Sequence, residues 1–120
     1  MAKVLVVDDA AFMRMMVKNI LGANGHEIVG EAENGVQGLE KYAQLKPDLV
    51  TMDIVMPELD GIETTKEIIR SHPEARIVMC TAVGQQAKVL EAMKAGARGY
   101  IIKPFQAPKV LEEINKVLGS

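Results

Sequence analysis

Two adjacent carboxylates, Asp8 and Asp9, follow directly on the apolar run VLVV at 4–7, and a third, Asp53, closes the run LVTMD at 49–53. Two further apolar runs end in groups able to bind an anion. ARIVMCT at 75–81 ends in the hydroxyl of Thr81, and GYII at 99–102 leads into Lys103 and Pro104. Carboxylates brought together repel one another, and one lysine does not balance three of them. Either their pKa values rise or a divalent cation joins them. An all-oxygen donor set with few protein ligands suits Mg2+, which keeps several waters and accepts phosphate oxygens. Formal charge agrees, since three carboxylates, one ammonium and Mg2+ sum to about zero. A phosphoryl group arriving at Asp53 would meet a cation, a lysine and a hydroxyl already in position. The competing reading is that the Asp pair only caps the helix that follows. The convergence of Asp53, Thr81 and Lys103 on the same rim weighs against it.

The elements that must bring these residues together are legible as an alternation. Val4–Val7 is a β-branched and leucine run of the kind buried on both faces of a sheet. From Ala11 to Leu21, the residues Phe12, Met13, Met16, Val17, Ile20 and Leu21 form a helical stripe, stopped by Gly22 and by NG at 24–25. HEIVGEA (26–32) reads as a second strand. Val36, Leu39 and Ala43 mark a second helix, closed by KPD at 46–48. After the strand LVTMD, Asp60 and Glu63 make a capping arrangement for a third helix that ends before HP at 72–73. The strand ARIVMCT is followed by a helix from about Gln85 to Ala95, with Gly96 just past its end. GYII is the fifth strand. Pro108 fits the first turn of a last helix carrying Val110, Leu111, Ile114, Val117 and Leu118. Strands alternating with helices in this way predict one α/β domain over 1–120, a parallel sheet covered on both faces. Ligands of such sheets bind beyond the carboxyl ends of the strands, which is where the chemistry-bearing residues stand.

Composition narrows the function. The chain of 120 residues is 48% hydrophobic and 25% charged, the balance of a globular domain. Its net charge of −2 gives no reason to expect nucleic acid or an anionic membrane as partner. Cys80 is the only cysteine, which excludes an internal disulfide and a cysteine zinc cluster. With no apolar run of membrane-spanning length and no signal-peptide core, a cytoplasmic location is expected. The chain is also expected to be a monomer.

VVDD at 6–9, DLVTMDIVMPELDG at 48–61, CTA at 80–82 and GYIIKPF at 99–105 together resemble the receiver domain of two-component response regulators. DAAFMRMM and GQQAKVLEAMKAGA are similar to the single-domain chemotaxis members of that family. The resemblance covers the whole chain. It implies a flavodoxin-like, doubly wound fold with strand order 2-1-3-4-5 and five helices. It also implies that Asp53 is the phosphoacceptor, taking a phosphoryl group from the phosphohistidine of a chemotaxis-type sensor kinase. Asp9, Asp53 and the backbone carbonyl of Val55 would hold Mg2+ directly, and Asp8 through a metal-bound water. The Thr81 hydroxyl, the Ala82 amide and Lys103 would bind phosphoryl oxygens. Pro104 matches a position preceded by a cis bond in the family. Tyr100 matches an aromatic switch residue, and Gln86, Val89, Tyr100 and Glu113 fall on the family's output face, whose implied target is a flagellar-motor switch protein.

Phosphorylation would replace one negative charge with about two and add acceptor oxygens. Thr81 could reach them only by moving, which would open space beside Tyr100 and bias a two-state surface. The competing reading of Tyr100 is an ordinary half-buried strand aromatic. Two residues after Asp53 stands Val55, and two after Thr81 stands Val83; neither can orient a water or take its proton. Slow self-dephosphorylation and a separate phosphatase are therefore expected. Val55 also argues against an aspartate-phosphorylating phosphatase, which needs a second acid there. No glycine-rich turn follows the first strand, against a dinucleotide or P-loop protein. The ending NKVLGS reads as a stand-alone module; the alternative is a receiver excised from a longer regulator with a DNA-binding or enzymatic output domain. His26 and His72 are expected at the surface, Cys80 as a buried inert thiol, Met13, Met16, Met52, Met79 and Met93 in the core, and Met15 outside the apolar stripe.

Overall fold

A computed structural model describes residues 2–119. Five strands alternate with five helices: β1 Lys3–Val7, α1 Ala11–Gly22, β2 Glu27–Ala32, α2 Gly35–Leu45, β3 Leu49–Asp53, α3 Gly61–Ser71, β4 Ile77–Ala82, α4 Gln86–Ala95, β5 Gly99–Lys103 and α5 Ala107–Leu118. The strands form one parallel sheet in the order β2-β1-β3-β4-β5, the doubly wound arrangement expected from the sequence.

Successive strand residues point to opposite faces, and the two cores divide accordingly. Leu5 and Val7 of β1, Val50 and Met52 of β3, and Ile77 and Met79 of β4 pack under Tyr42, Ile62, Ile68 and Ala92 of α2, α3 and α4. Val4, Val6, Leu49, Val78, Cys80 and Ile101 pack under Val17 and Leu21 of α1 and Val110, Ile114 and Val117 of α5. Cys80 is buried as expected, and that burial pushes its thiol well above its ordinary value.

Several expected faces shift. Phe12, in the first turn of α1, belongs to the expected apolar stripe but is 63% exposed; the buried residues of that helix are Val17 and Leu21. On α2, Val36 and Ala43 face outward, and the buried face is Gly35, Gly38 and Tyr42. Asn34 caps this helix, accepting from Gln37 N–H. Met93 was expected in the core and is exposed on α4. The two histidines are half-buried and not free at the surface. His26 Nδ1 accepts from Ala2 N–H, and His72 tilts against the Tyr42 ring with centroids 4.9 Å apart. Asp60 caps α3 as expected by accepting from Glu63 N–H at 2.9 Å, but the Glu63 side chain turns to Lys66 and does not complete the reciprocal box.

Candidate functional site

Register carries the chemistry to one end of the sheet. Val7 lies abreast of Met52, Asp53 of Cys80, and Ala82 of Lys103, so Asp8, Asp53, Thr81 and Lys103 reach the carboxyl-terminal rim together. Parity then sorts them. Asp8 follows Val4 and Val6, and Lys103 follows Ile101, so both continue the face under α1 and α5. Asp53 shares the parity of Leu49 on that face. Thr81 shares the parity of Ile77 and Met79 and faces α4.

Lys103 is the centre of the first group. Its Nζ donates to Asp53 Oδ1 at 3.1 Å and to Asp8 Oδ2 at 3.2 Å. One oxygen from each of Asp8, Asp9 and Asp53 lies within 4.8 Å of the others, and among the described residues this is the only such acidic cluster. Asp8 and Asp53 are buried, while Asp9 is exposed. Burial, and after it the charge of Asp8, push the Asp53 carboxyl up to about 6 against the pull of Lys103. Burial alone would lower the Lys103 ammonium, but the charges of Asp53 and Asp8 outweigh it and hold it above its ordinary range. One ammonium therefore leaves the cluster short of positive charge, and the donor set is the hard, all-oxygen kind a small divalent cation takes. The Val55 carbonyl accepts no hydrogen bond among the described residues, which leaves it available as a further oxygen ligand.

The loops around the cluster are fixed by particular residues. Asp8 Oδ1 accepts from Ala10 N–H at 2.9 Å, an Asx turn, and the cap position of α1 is Ala10, whose side chain cannot cap. The Asp pair is thus not the helix cap. After β3 the chain turns back so that Gly61 N–H donates to the Ile54 carbonyl at 2.8 Å. A Cβ at Gly61 would lie 2.0 Å from the Asp53 carbonyl oxygen, so only glycine allows this close return. The Lys103–Pro104 bond is cis.

Two residues at the site were not anticipated. Arg14, on α1, donates through one terminal nitrogen to the Asp8 carbonyl at 2.7 Å and through Nε to Glu31 Oε1 at 3.0 Å. Lys18 donates to the other Glu31 oxygen at 2.8 Å. The Lys18 hydrogen bond, with Arg14 beside it, holds the Glu31 carboxyl below the usual carboxylate range in spite of its partial burial. The signal in the sequence was an arginine one and a half turns past the Asp pair with a glutamate at the end of β2. The other residue is Gln85, whose Oε1 accepts from the Thr81 hydroxyl at 3.1 Å and from Ala82 N–H at 3.4 Å.

Most of the remaining predicted residues lie on β4, α4 and β5, with Val55 after β3, Glu113 on α5 and Met15 on α1. Thr81 is buried and Ala82 exposed. Tyr100 is 44% exposed, and its N–H donates to Glu113 Oε2 at 3.3 Å. Tyr100 borders an open cavity of about 390 Å3 together with Thr81, Val89, Leu90 and Met93. Gln86 is exposed on α4 and Val89 half-buried. Val55 and Val83 are 56% and 77% exposed. Met15 is exposed outside the buried face of α1, as expected.

The pattern of the response regulator receiver domain matches residues 4–115. The chain belongs to that family. It is 61% identical over 116 residues to the chemotaxis protein CheY of Bacillus subtilis (strain 168), covering 97% of each chain, so this receiver is of the CheY-like kind. Among solved structures, the response regulator domain of Thermotoga maritima CheB superposes with a TM-score of 0.91 at 38% identity, over 98% of this receiver and 96% of that chain. A CheX–CheY–BeF3–Mg2+ complex from Borrelia burgdorferi gives 0.92 at 33% identity, over 96% and 87%. Among the described residues of the receiver, no helix is long and apolar enough to cross a membrane.

Proposed function

We propose that this receiver takes a phosphoryl group onto Asp53 from the phosphohistidine of a chemotaxis-type sensor kinase and uses it to change the surface formed by α4, β5 and α5. The observation that carries the reading is Asp53 itself: a buried carboxylate ending a central strand, held 3.1 Å from Lys103 and flanked by Asp8 and Asp9. An Asp53 oxygen forms the new O–P bond as the donor's N–P bond breaks. Lys103 stays with the reacting centre and balances the charge that the phosphoryl oxygens bring. The Thr81 hydroxyl and the Ala82 N–H stand on the other side as donors to those oxygens. Asp8, Asp9, Asp53 and the Val55 carbonyl would hold Mg2+, which neutralises the carboxylates and accepts phosphoryl oxygens when bound. The Borrelia burgdorferi CheY found with BeF3 and Mg2+ supports this ligand chemistry, and its CheX partner supports a separate protein acting on the modified form.

The chain is a signalling protein that works in the cytoplasm as a monomer and catalyses only its own phosphoryl uptake and slow loss. Gln86, Val89, Tyr100 and Glu113 form the output face, and the target is the flagellar-motor switch. The test is intact-mass measurement after incubation with acetyl phosphate and Mg2+. The parent should gain one phosphoryl group, EDTA should suppress the gain, and Asp53→Asn should show none. A full gain in Asp53→Asn would place the phosphoacceptor elsewhere.

A further inference from the structure

Gln85 occupies the cap position of α4, where a side-chain oxygen ordinarily accepts from the free N–H groups of the first helical turn. It makes no such bond. Gly84, at φ +91°, turns the chain between β4 and α4, and the Gln85 side chain reaches back to the end of the strand. There its single oxygen receives both the Thr81 hydroxyl and the Ala82 N–H. An N–H can only donate, so the oxygen of the Gln85 amide, and not its nitrogen, must face Ala82. These are the two donors assigned above to a phosphoryl oxygen. One oxygen on which both converge is the arrangement that a phosphoryl oxygen would adopt.

We propose that Gln85 is a positioning residue that occupies the phosphoryl-binding donors of the unmodified receiver and must release them when Asp53 is modified. This rests on the reading of Asp53 as phosphoacceptor. The hold is a breakable one. The Ala82 bond is long at 3.4 Å, and the Thr81 hydroxyl has a second acceptor in the Ala82 carbonyl at 3.3 Å. Gln85 also borders the cavity beside Tyr100, Val89 and Leu90, so its release rearranges the space that a moving Tyr100 ring would enter. The residue thereby sets how strongly a phosphoryl group is held, without touching the acidic cluster.

The test is calorimetric titration of beryllofluoride, a phosphoryl mimic, into the receiver at saturating Mg2+, together with the amide resonance of Ala82 in the free proteins. Gln85→Ala frees both donors and should bind about fivefold more tightly, the scale of one net hydrogen bond. Its Ala82 N–H should lose the signature of a bonded amide before any ligand is added. Gln85→Glu keeps the acceptor, charges it and sets a negative group beside the anion, so it should bind more weakly than the parent. Opposite signs from two substitutions at one half-buried position are not what lost packing produces. In a Thr81→Ala background the gain from Gln85→Ala should shrink. Unchanged or weaker binding by Gln85→Ala overturns the inference while leaving the phosphoacceptor reading intact, provided that the parent binds and Asp53→Asn does not. Equal binding by the parent and Asp53→Asn, or none by the parent, overturns both.

Discussion

On the α1 side of the rim every polar group of Asp8 is engaged. Its N–H donates to the Ala32 carbonyl, its carbonyl accepts from Arg14, and its two carboxylate oxygens take Ala10 N–H and Lys103. On the α4 side, Thr81 and Ala82 are held by one glutamine side chain, and the neighbouring helix fully buries only Ala92 while Leu90 and Met93 are exposed. By contrast α5, on the other face, buries Val110, Ile114 and Val117. The half that would accept the phosphoryl group is thus preformed, and the half that would report it is loosely held. Segments with few buried apolar contacts open locally at little cost, which is what a switching element needs. A charge added at Asp53 can then move the α4 side without disturbing the cluster that received it.

This contrast can be broken from the acidic side first. By mass action, Mg2+ at a hundredfold excess over its Kd should stabilise the receiver by about 2.7 kcal/mol, read as a rise in melting temperature. Asp9→Ala should abolish that rise and leave the metal-free protein as stable or more so. An undiminished response would move the metal away from Asp9. Next, Lys103→Ala should still accept a phosphoryl group, since Asp53 remains, yet gain roughly tenfold less target affinity on phosphorylation, the effect of about 1.4 kcal/mol. Thr81→Ala and Tyr100→Ala should share that uncoupling in part. Normal affinity gains in all three would show that the α4 side does not carry the signal.

Arg14 sharpens the comparison because it makes one half rigid. Arg14→Met keeps the aliphatic stem but loses the bonds to Asp8 and Glu31, and should lower stability by roughly 1.5–3 kcal/mol in a denaturant titration. Mg2+ affinity should fall with it as the Asp8 turn loosens, while Arg14→Lys should recover only part of either. A stable variant with unaltered Mg2+ affinity would deny Arg14 this role. The smallest effect expected is on signal lifetime. Val55→Asn supplies a carbonyl able to orient a water and should speed loss of the phosphoryl group several-fold, and Val83→Ala less, since Val83 already stands 77% exposed. Decay measured after donor removal at fixed Mg2+ would decide it, and no acceleration in Val55→Asn would show that this valine does not set the lifetime.

Strand positions were legible because a strand buried on both faces must be an unbroken apolar run, and the residue ending each run was therefore visible as a rim residue. That reasoning brings out Asp8, Asp53 and Thr81 at the ends of β1, β3 and β4, while Lys103 ends the edge strand β5, whose run GYII is apolar although Tyr100 and Ile102 are exposed. It fails where burial is not written in large side chains. The inner face of α2 is Gly35, Gly38 and Tyr42, and glycine carries no hydrophobic signal, so the apolar pattern pointed to Val36 and Ala43. Phe12 and Met93 mislead in the opposite sense, being large apolar residues exposed beside the rim and the α4 cavity. Arg14 and Gln85 were hidden for a different reason. Each acts on a backbone group brought near by folding, and a single arginine or glutamine in a helix or loop says nothing of that alone.

Hydrogen exchange of the free receiver and of its complex with beryllofluoride and Mg2+ tests most directly whether the two halves differ as described. In the free protein, amides of β1, β3 and α5 should exchange only through global unfolding, whereas those of the β4–α4 connection and α4 should exchange through local opening. Ligand should add protection chiefly from Ala82 through α4 and into β5. Equal protection of α4 and α5 in the free protein, with ligand-induced change confined to the Asp8–Ala10 turn, would contradict the account.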